Sequence, residues 1–112
     1  MDNVKKYKLG KCQKTGQDHA RIWIENKRLS EVGFTPGSYY APQWIQRGRG
    51  RSVKFWLLED DDIIVERRKV SSKKGRPVID LTGWEIKQFF DGFTHYTLKY
   101  EEGCVTVKGV NE

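Results

Sequence analysis

Apolar and polar positions alternate through most of this chain, and two short stretches break the alternation with helical spacing. Residues 21–25 (RIWIE) alternate strictly and are rich in β-formers, which predicts a strand. Asn26 is suited to cap a short helix over residues 27–32, and Gly33 to stop it. Phe34-Thr35-Pro36-Gly37 reads as a turn. Tyr39, Tyr40, Trp44 and Ile45 predict an extended segment, which Pro42 restricts to a sheet edge or a bulge. Residues 53–59 and 63–66 then read as a hairpin about Asp60-Asp61-Asp62.

The pattern starts again at Val78. Residues 78–81 predict a strand, Thr82 the cap region, and residues 84–90 a helix with Ile86, Phe89 and Phe90 on one face. Asp91-Gly92 ends it, and residues 94–100 and 104–110 form a hairpin about Glu101-Glu102-Gly103. Upstream, residues 4–9 alternate lysines with Val4, Tyr7 and Leu9, as a lysine-guarded edge strand or a loose basic arm, and residues 14–18 form a turn.

Strand, helix and hairpin thus occur twice, and repeats of this kind decide the fold. Ile22 and Ile24 match Ile79 and Leu81, Leu29 and Val32 match Ile86 and Phe89, and Gly33-Phe34 matches Gly92-Phe93. The turn at Glu59-Asp60 matches that at Glu101-Glu102, which leaves residues 35–53 as an insert in the first copy. The organisation expected is an N-terminal arm or edge strand (1–19), a first unit (20–69) and a second unit (70–112). Neither unit is large enough to bury a core alone, so they fold together as a monomeric pseudo-dimer or pair as a homodimer.

Charge narrows the partner. The 21 Lys and Arg outnumber 15 Asp and Glu, for a net charge of +6, which favours a polyanion. Two groups stand out. Arg47, Arg49 and Arg51 alternate with glycine and are followed by Lys54. Arg67, Arg68, Lys69, Lys73, Lys74 and Arg76 occupy a polar stretch that reads as a linker. Arginine forks pair with phosphates and read guanine. Tyr39, Tyr40 and Trp44 are candidates for stacking on bases or for an interface, with core packing the commoner use of such residues.

The remaining chemistry is sparse. The two cysteines, Cys12 and Cys104, and the histidines, His19 and His95, have no tight ligand spacing, and no nucleotide-binding glycine motif is present. The expectation is no metal, no cofactor and no enzyme. With no apolar run of membrane-spanning length and no apolar signal core, a cytoplasmic protein with no membrane partner is expected.

The phrases LSEVGFTPG (29–37) and YEEGCVTV (100–107) resemble the AbrB-like swapped-hairpin family, in particular its SymE-like branch, with the family's phrase divided between the two copies. The resemblance implies a mainly β fold with short helices, a swapped-hairpin β-barrel made here from two tandem strand–helix–hairpin units. It implies a DNA-binding transcriptional regulator or antitoxin, with duplex DNA as the partner. The SymE-like branch also implies an RNA-acting toxin. The stretch at residues 69–83 (KVSSKKGRPVIDLTG) is similar to modules found ahead of some bacterial and phage cytosine methyltransferases. That suggests a restriction-modification or phage setting. An alternative reading of the chain is a protein-interaction module from a phage or mobile element that inhibits a host nucleic-acid enzyme, with the aromatics as its contact residues and the basic loop competing for a nucleic-acid channel.

Overall fold

The computed structural model describes residues 5–14, 17–59 and 66–111. The turn expected at Asp60-Asp61-Asp62 and the strand expected from Ile63 lie outside the described residues. The protein is mainly β with two short helices. In chain order the elements are β1 (Tyr7–Lys8), β2 (Gly10–Lys14), β3 (Gln17–Glu25), α1 (Lys27–Glu31), β4 (Tyr39–Arg47), β5 (Gly50–Leu57), β6 (Arg68–Lys69), β7 (Ser71–Lys73), β8 (Arg76–Gly83), α2 (Trp84–Phe89), β9 (His95–Glu101) and β10 (Cys104–Val110).

The strands form a curled six-stranded sheet in the order β1-β9-β10-β5-β4-β6 and a four-stranded sheet in the order β2-β3-β8-β7. The chain passes between sheets at Leu9 and at Val70. Val70 is buried and locks the passage: its amide donates to Ser38 O at 2.8 Å, and its carbonyl accepts from Gly37 N at 3.0 Å. One core fills the space between the layers. Ile22, Ile24, Ile79 and Leu81 come from the smaller sheet, Val53, Phe55, Val105, Val107 and Tyr96 from the larger, and Leu29, Ile86 and Phe90 from the helices and their ends. The period-2 alternation follows from this burial, since each strand turns one face to the core and the other to water.

The order strand, helix, two-stranded hairpin occurs twice, as β3-α1-β4-β5 and β8-α2-β9-β10, and strands of one stretch pair with strands of the other. β3 lies antiparallel to β8, and β5 antiparallel to β10. The hairpin turns close at Arg47↔Gly50 and at Glu101↔Cys104. Counting from those closures, Gln46 is equivalent to Tyr100 and Arg51 to Val105. Counting from the helix caps Asn26 and Gly83, Arg28 is equivalent to Glu85.

Packing across the two copies is reciprocal. The β9–β10 turn docks on α1, where Gly103 N donates to Val32 O at 2.9 Å. The β4–β5 hairpin lies beside α2, with Trp44 and Phe89 edge-to-face at 4.8 Å.

Several expectations change. The hairpin partner of β5 is β4, and its other neighbour is β10. Residues 35–53 are therefore no insert: they hold the first copy's own hairpin, and its turn is the Arg-Gly run. This turn is tight, with Gly48 supplying a φ of +56° as its first central residue. Residues 67–76 are not a linker either. Arg68–Lys69 extend the large sheet beside Tyr39 and Tyr40, and β7–β8 is a hairpin closing at Lys73↔Arg76. Lys74 and Gly75, at φ +52° and +79°, have the two left-handed residues a type I′ turn needs. Gly83, not Thr82, occupies the cap of α2 and makes no side-chain bond there. Asn26 does cap α1, its Oδ1 accepting from Arg28 N at 2.9 Å. Pro42 lies beyond the residues of β4 that pair with β6, and among the described residues no strand pairs on that side of it, so its missing N–H leaves no ladder bond unmade there.

Candidate nucleic-acid interface

The outer face of the six-stranded sheet is assembled by strand register. Lys99, Thr106, Lys54 and Gln43 lie side by side across β9, β10, β5 and β4. Thr97, Lys108, Ser52 and Ile45 form the next row towards the Arg47 end, and Glu101, Cys104, Trp56 and Ala41 the row on the other side. All these side chains share one face because each pair of rows is two residues apart along every strand. In these three rows Lys54, Lys99 and Lys108 face a single acid, Glu101. The Lys99–Glu101 contact is 3.8 Å long and mostly exposed, so it neutralises little of the field.

Trp56 stands out of this face, 44% exposed. Two neighbours hold it: its Nε1 donates to Gln43 Oε1 at 2.8 Å, and Lys54 Nζ lies 5.7 Å from the ring centroid. An exposed ring beside lysines has a free face that an unpaired base or another planar group can stack on. Beneath it Cys104 is buried. Burial raises its thiol pKa, an effect opposed by the Thr106 hydrogen bond and the nearby Lys54 and Lys99 charges. A buried neutral thiol is a poor nucleophile.

The Arg-Gly turn projects from one end of this face. The pairing of β5 with β10 runs from Trp56 to Ser52, so residues 47–51 extend past it. The three arginines do not act as one group. Arg47 continues the outer face, Arg49 is at the tip, and Arg51 lies on the opposite face towards α2, with Nη1 donating to Gly48 O at 3.3 Å and Gly50 O at 3.2 Å.

The second basic group is split and displaced. β6 pairs with the Tyr39 end of β4, about 27 Å from Arg47 by strand rise. Lys69 is exposed there, and Arg67 lies over Tyr39 at 4.6 Å. Arg68 turns the other way: its Nε is buried without a hydrogen-bond partner among the described residues, and its charge acts on Tyr40. Lys73, Lys74 and Arg76 are on the other sheet altogether, at the β7–β8 turn. Lys73 leans over Trp23 at 5.5 Å, and Arg21 covers the same ring at 4.5 Å while bonding Asp80 at 3.2 Å.

The aromatic candidates separate by burial. Tyr39 is 40% exposed and accessible. Tyr40 is only 1% exposed, packed against Phe34 and Phe55, so it is a core residue and not a stacking platform. Burial pushes its hydroxyl up to about 12, with Arg68 pulling weakly the other way. Trp44 is half-buried against Phe89. Lys99 and Lys108 escaped the sequence reading because they are isolated along the chain and become neighbours of Lys54 only through pairing of β10 with β5 and β9. Among the described residues no group of His, Cys, Asp and Glu is placed to hold a metal ion, and no helix is long and apolar enough to cross a membrane.

Comparisons of the chain with protein-family models, with curated proteins and with solved structures returned no match.

Proposed function

We propose that this chain is a DNA-binding protein of the regulator or antitoxin kind. It contacts duplex phosphates through Arg47, Arg49, Lys54, Lys99 and Lys108. The observation that carries the reading is the outer face of the large sheet, where three lysines and an exposed tryptophan adjoin an arginine-tipped hairpin and meet only Glu101 among the three rows. Such a face gains affinity by releasing counterions from the nucleic acid. A two-stranded ribbon with arginine at its tip also has the width that the major groove admits.

The finer fold reading belongs to the same proposal. Each hairpin packs on the helix of the other copy, and the two copies pair strand to strand. This supports a swapped-hairpin, AbrB-like barrel closed within one chain. The DNA-binding reading carries with it a cytoplasmic protein acting without cofactor or catalysis.

Lysine acetylation footprinting tests the site. Duplex DNA should protect Lys54, Lys99 and Lys108 and leave Lys73 and Lys74 reactive. Protection confined to Lys73 and Lys74 would move the interface to the smaller sheet.

A second reading has its own observation. Tyr39 is exposed beside a cleft of about 410 Å³ formed with Pro36, Leu57, Leu58 and Arg67, at the end of β4 away from the arginine tip. Exposed aromatics at a cleft suit a protein partner. Binding to a protein with no affinity for nucleic acid would favour that reading.

A further inference from the structure

The two halves of the molecule are built alike but sealed differently. In one half the β9–β10 hairpin is closed onto α1. Gly103 N donates to Val32 O at 2.9 Å, Asn26 Nδ2 donates to the Tyr100 hydroxyl, and Arg28 lies 5.1 Å over the Tyr100 ring. Val105 completes the seal from the core. In the other half every one of these side chains is replaced. Gly83 stands for Asn26, Gln46 for Tyr100, Glu85 for Arg28 and Arg51 for Val105, so the side-chain ties cannot form, and among the described residues no backbone bond like that of Gly103 to Val32 joins the β4–β5 turn to α2.

An open cleft of about 410 Å³ occupies that place, lined by Trp44, Gln46, Arg51, Glu85, Gln88 and Phe89. This volume is in the range of small-ligand sites. Arg51 and Glu85 line it without forming an ion pair, and Glu85 has no hydrogen-bond partner among the described residues. Arg51 holds its Nη1 on two backbone carbonyls of the turn, which fixes the guanidinium and leaves its other nitrogens unpaired among the described residues. The apolar wall is the Trp44–Phe89 pair, at an interplanar angle of 69°.

The lining calls for a planar ligand with an apolar face and an edge bearing both donors and acceptors. A nucleobase meets that description. Guanine meets it best, because its N1–H and N2–H donate to a carboxylate and its O6 and N7 accept from arginine or an amide. The base must be unpaired, since pairing would occupy the N1–H and N2–H edge. The arginine tip of the same hairpin would hold the adjoining phosphate.

We propose that the cleft between the β4–β5 hairpin and α2 binds one unpaired guanine next to the duplex that the outer face contacts. This inference rests on the nucleic-acid reading above, and the test separates the two. Affinity is measured by fluorescence anisotropy with three probes of one sequence: a fully paired duplex, the duplex with a single bulged guanine, and the duplex with an abasic bulge. The bulged guanine should bind roughly tenfold more tightly than the abasic bulge, the discrimination typical of one well-made base contact. Glu85→Gln, at an exposed helix position, should abolish that preference while leaving the paired duplex unaffected, and Gln88→Leu should weaken it. Thermal melts of both variants show that the fold is kept. Equal affinity for the two bulged probes in the unmodified chain would overturn the guanine site and leave the phosphate contacts standing. Failure to bind any of the three would overturn both.

Discussion

Val53 and Val107 pair directly across β5 and β10, and each is the same distance beyond the turn of its own hairpin. The two strand–helix–hairpin stretches therefore meet here at equivalent positions. In the other sheet Trp23 and Asp80 also pair directly and lie equally far before the caps Asn26 and Gly83. Both valines are fully buried. Val53→Ala and Val107→Ala should each lower stability by about 2 kcal/mol, from two lost methyl groups and an incompletely filled space. Because the side chains are neighbours, the double variant should depart from the sum of the two. Urea unfolding should show one transition in every case. Two transitions would show that the halves fold independently.

Alkaline pH should destabilise the fold. Tyr40 keeps its proton to about pH 12 when folded, against an ordinary value of 10.0. Between those values the folded chain binds more protons than the unfolded one, so stability falls as pH rises through the window and is fully present below it. Burial raises Tyr96 and Tyr100 in the same direction. A loss on the order of 2 kcal/mol is expected from Tyr40. Urea midpoints on either side of pH 10 measure it, and Tyr40→Phe should flatten the profile. An unchanged midpoint in the parent protein would contradict the burial of the hydroxyl.

Asn26 joins the two copies. It caps α1 through Oδ1 and bonds the Tyr100 hydroxyl through Nδ2. Asn26→Ala should cost about 1–2 kcal/mol, a lost cap and a lost hydrogen bond together. The effect should reach the β9–β10 turn, with faster hydrogen exchange at Gly103 N–H. A stability loss without that change would mean that the turn does not depend on the cap.

The strands and helices were legible because one-sided burial stamps its period on the sequence. Residues 21–25, 27–32 and 84–90 read correctly on that ground. The hairpin partner of β5 was not legible. The acidic run at Asp60-Asp61-Asp62 looked like the second copy's Glu101-Glu102 turn, whereas the true equivalent is the oppositely charged Arg47–Gly50 turn. Backbone pairing fixes that equivalence, and side-chain charge at a solvated turn has no part in it. The site was half legible for the same reason. The arginine run announces itself by local density, but Lys54, Lys99 and Lys108 meet only through strand pairing. Tyr40 and Tyr39 are chain neighbours with opposite environments, and only the strand's orientation tells which is buried.

The β7–β8 turn supplies a control. Lys73, Lys74 and Arg76 carry charge of the same sign but project from the smaller sheet. Replacing all three by alanine should leave the salt dependence of duplex binding within about half a unit of slope, because no phosphate contact is lost. A fall of a full unit or more would place these residues in the interface.

Phosphate contact at the outer face of the six-stranded sheet is what the proposed function rests on. The most direct measurement is the slope of log affinity against log salt for a duplex, in the parent chain and in Lys54→Ala/Lys99→Ala/Lys108→Ala. A steep slope is expected in the parent chain, falling by up to about 0.9 for each phosphate contact removed. An unchanged slope in the triple variant, with binding intact, would contradict it.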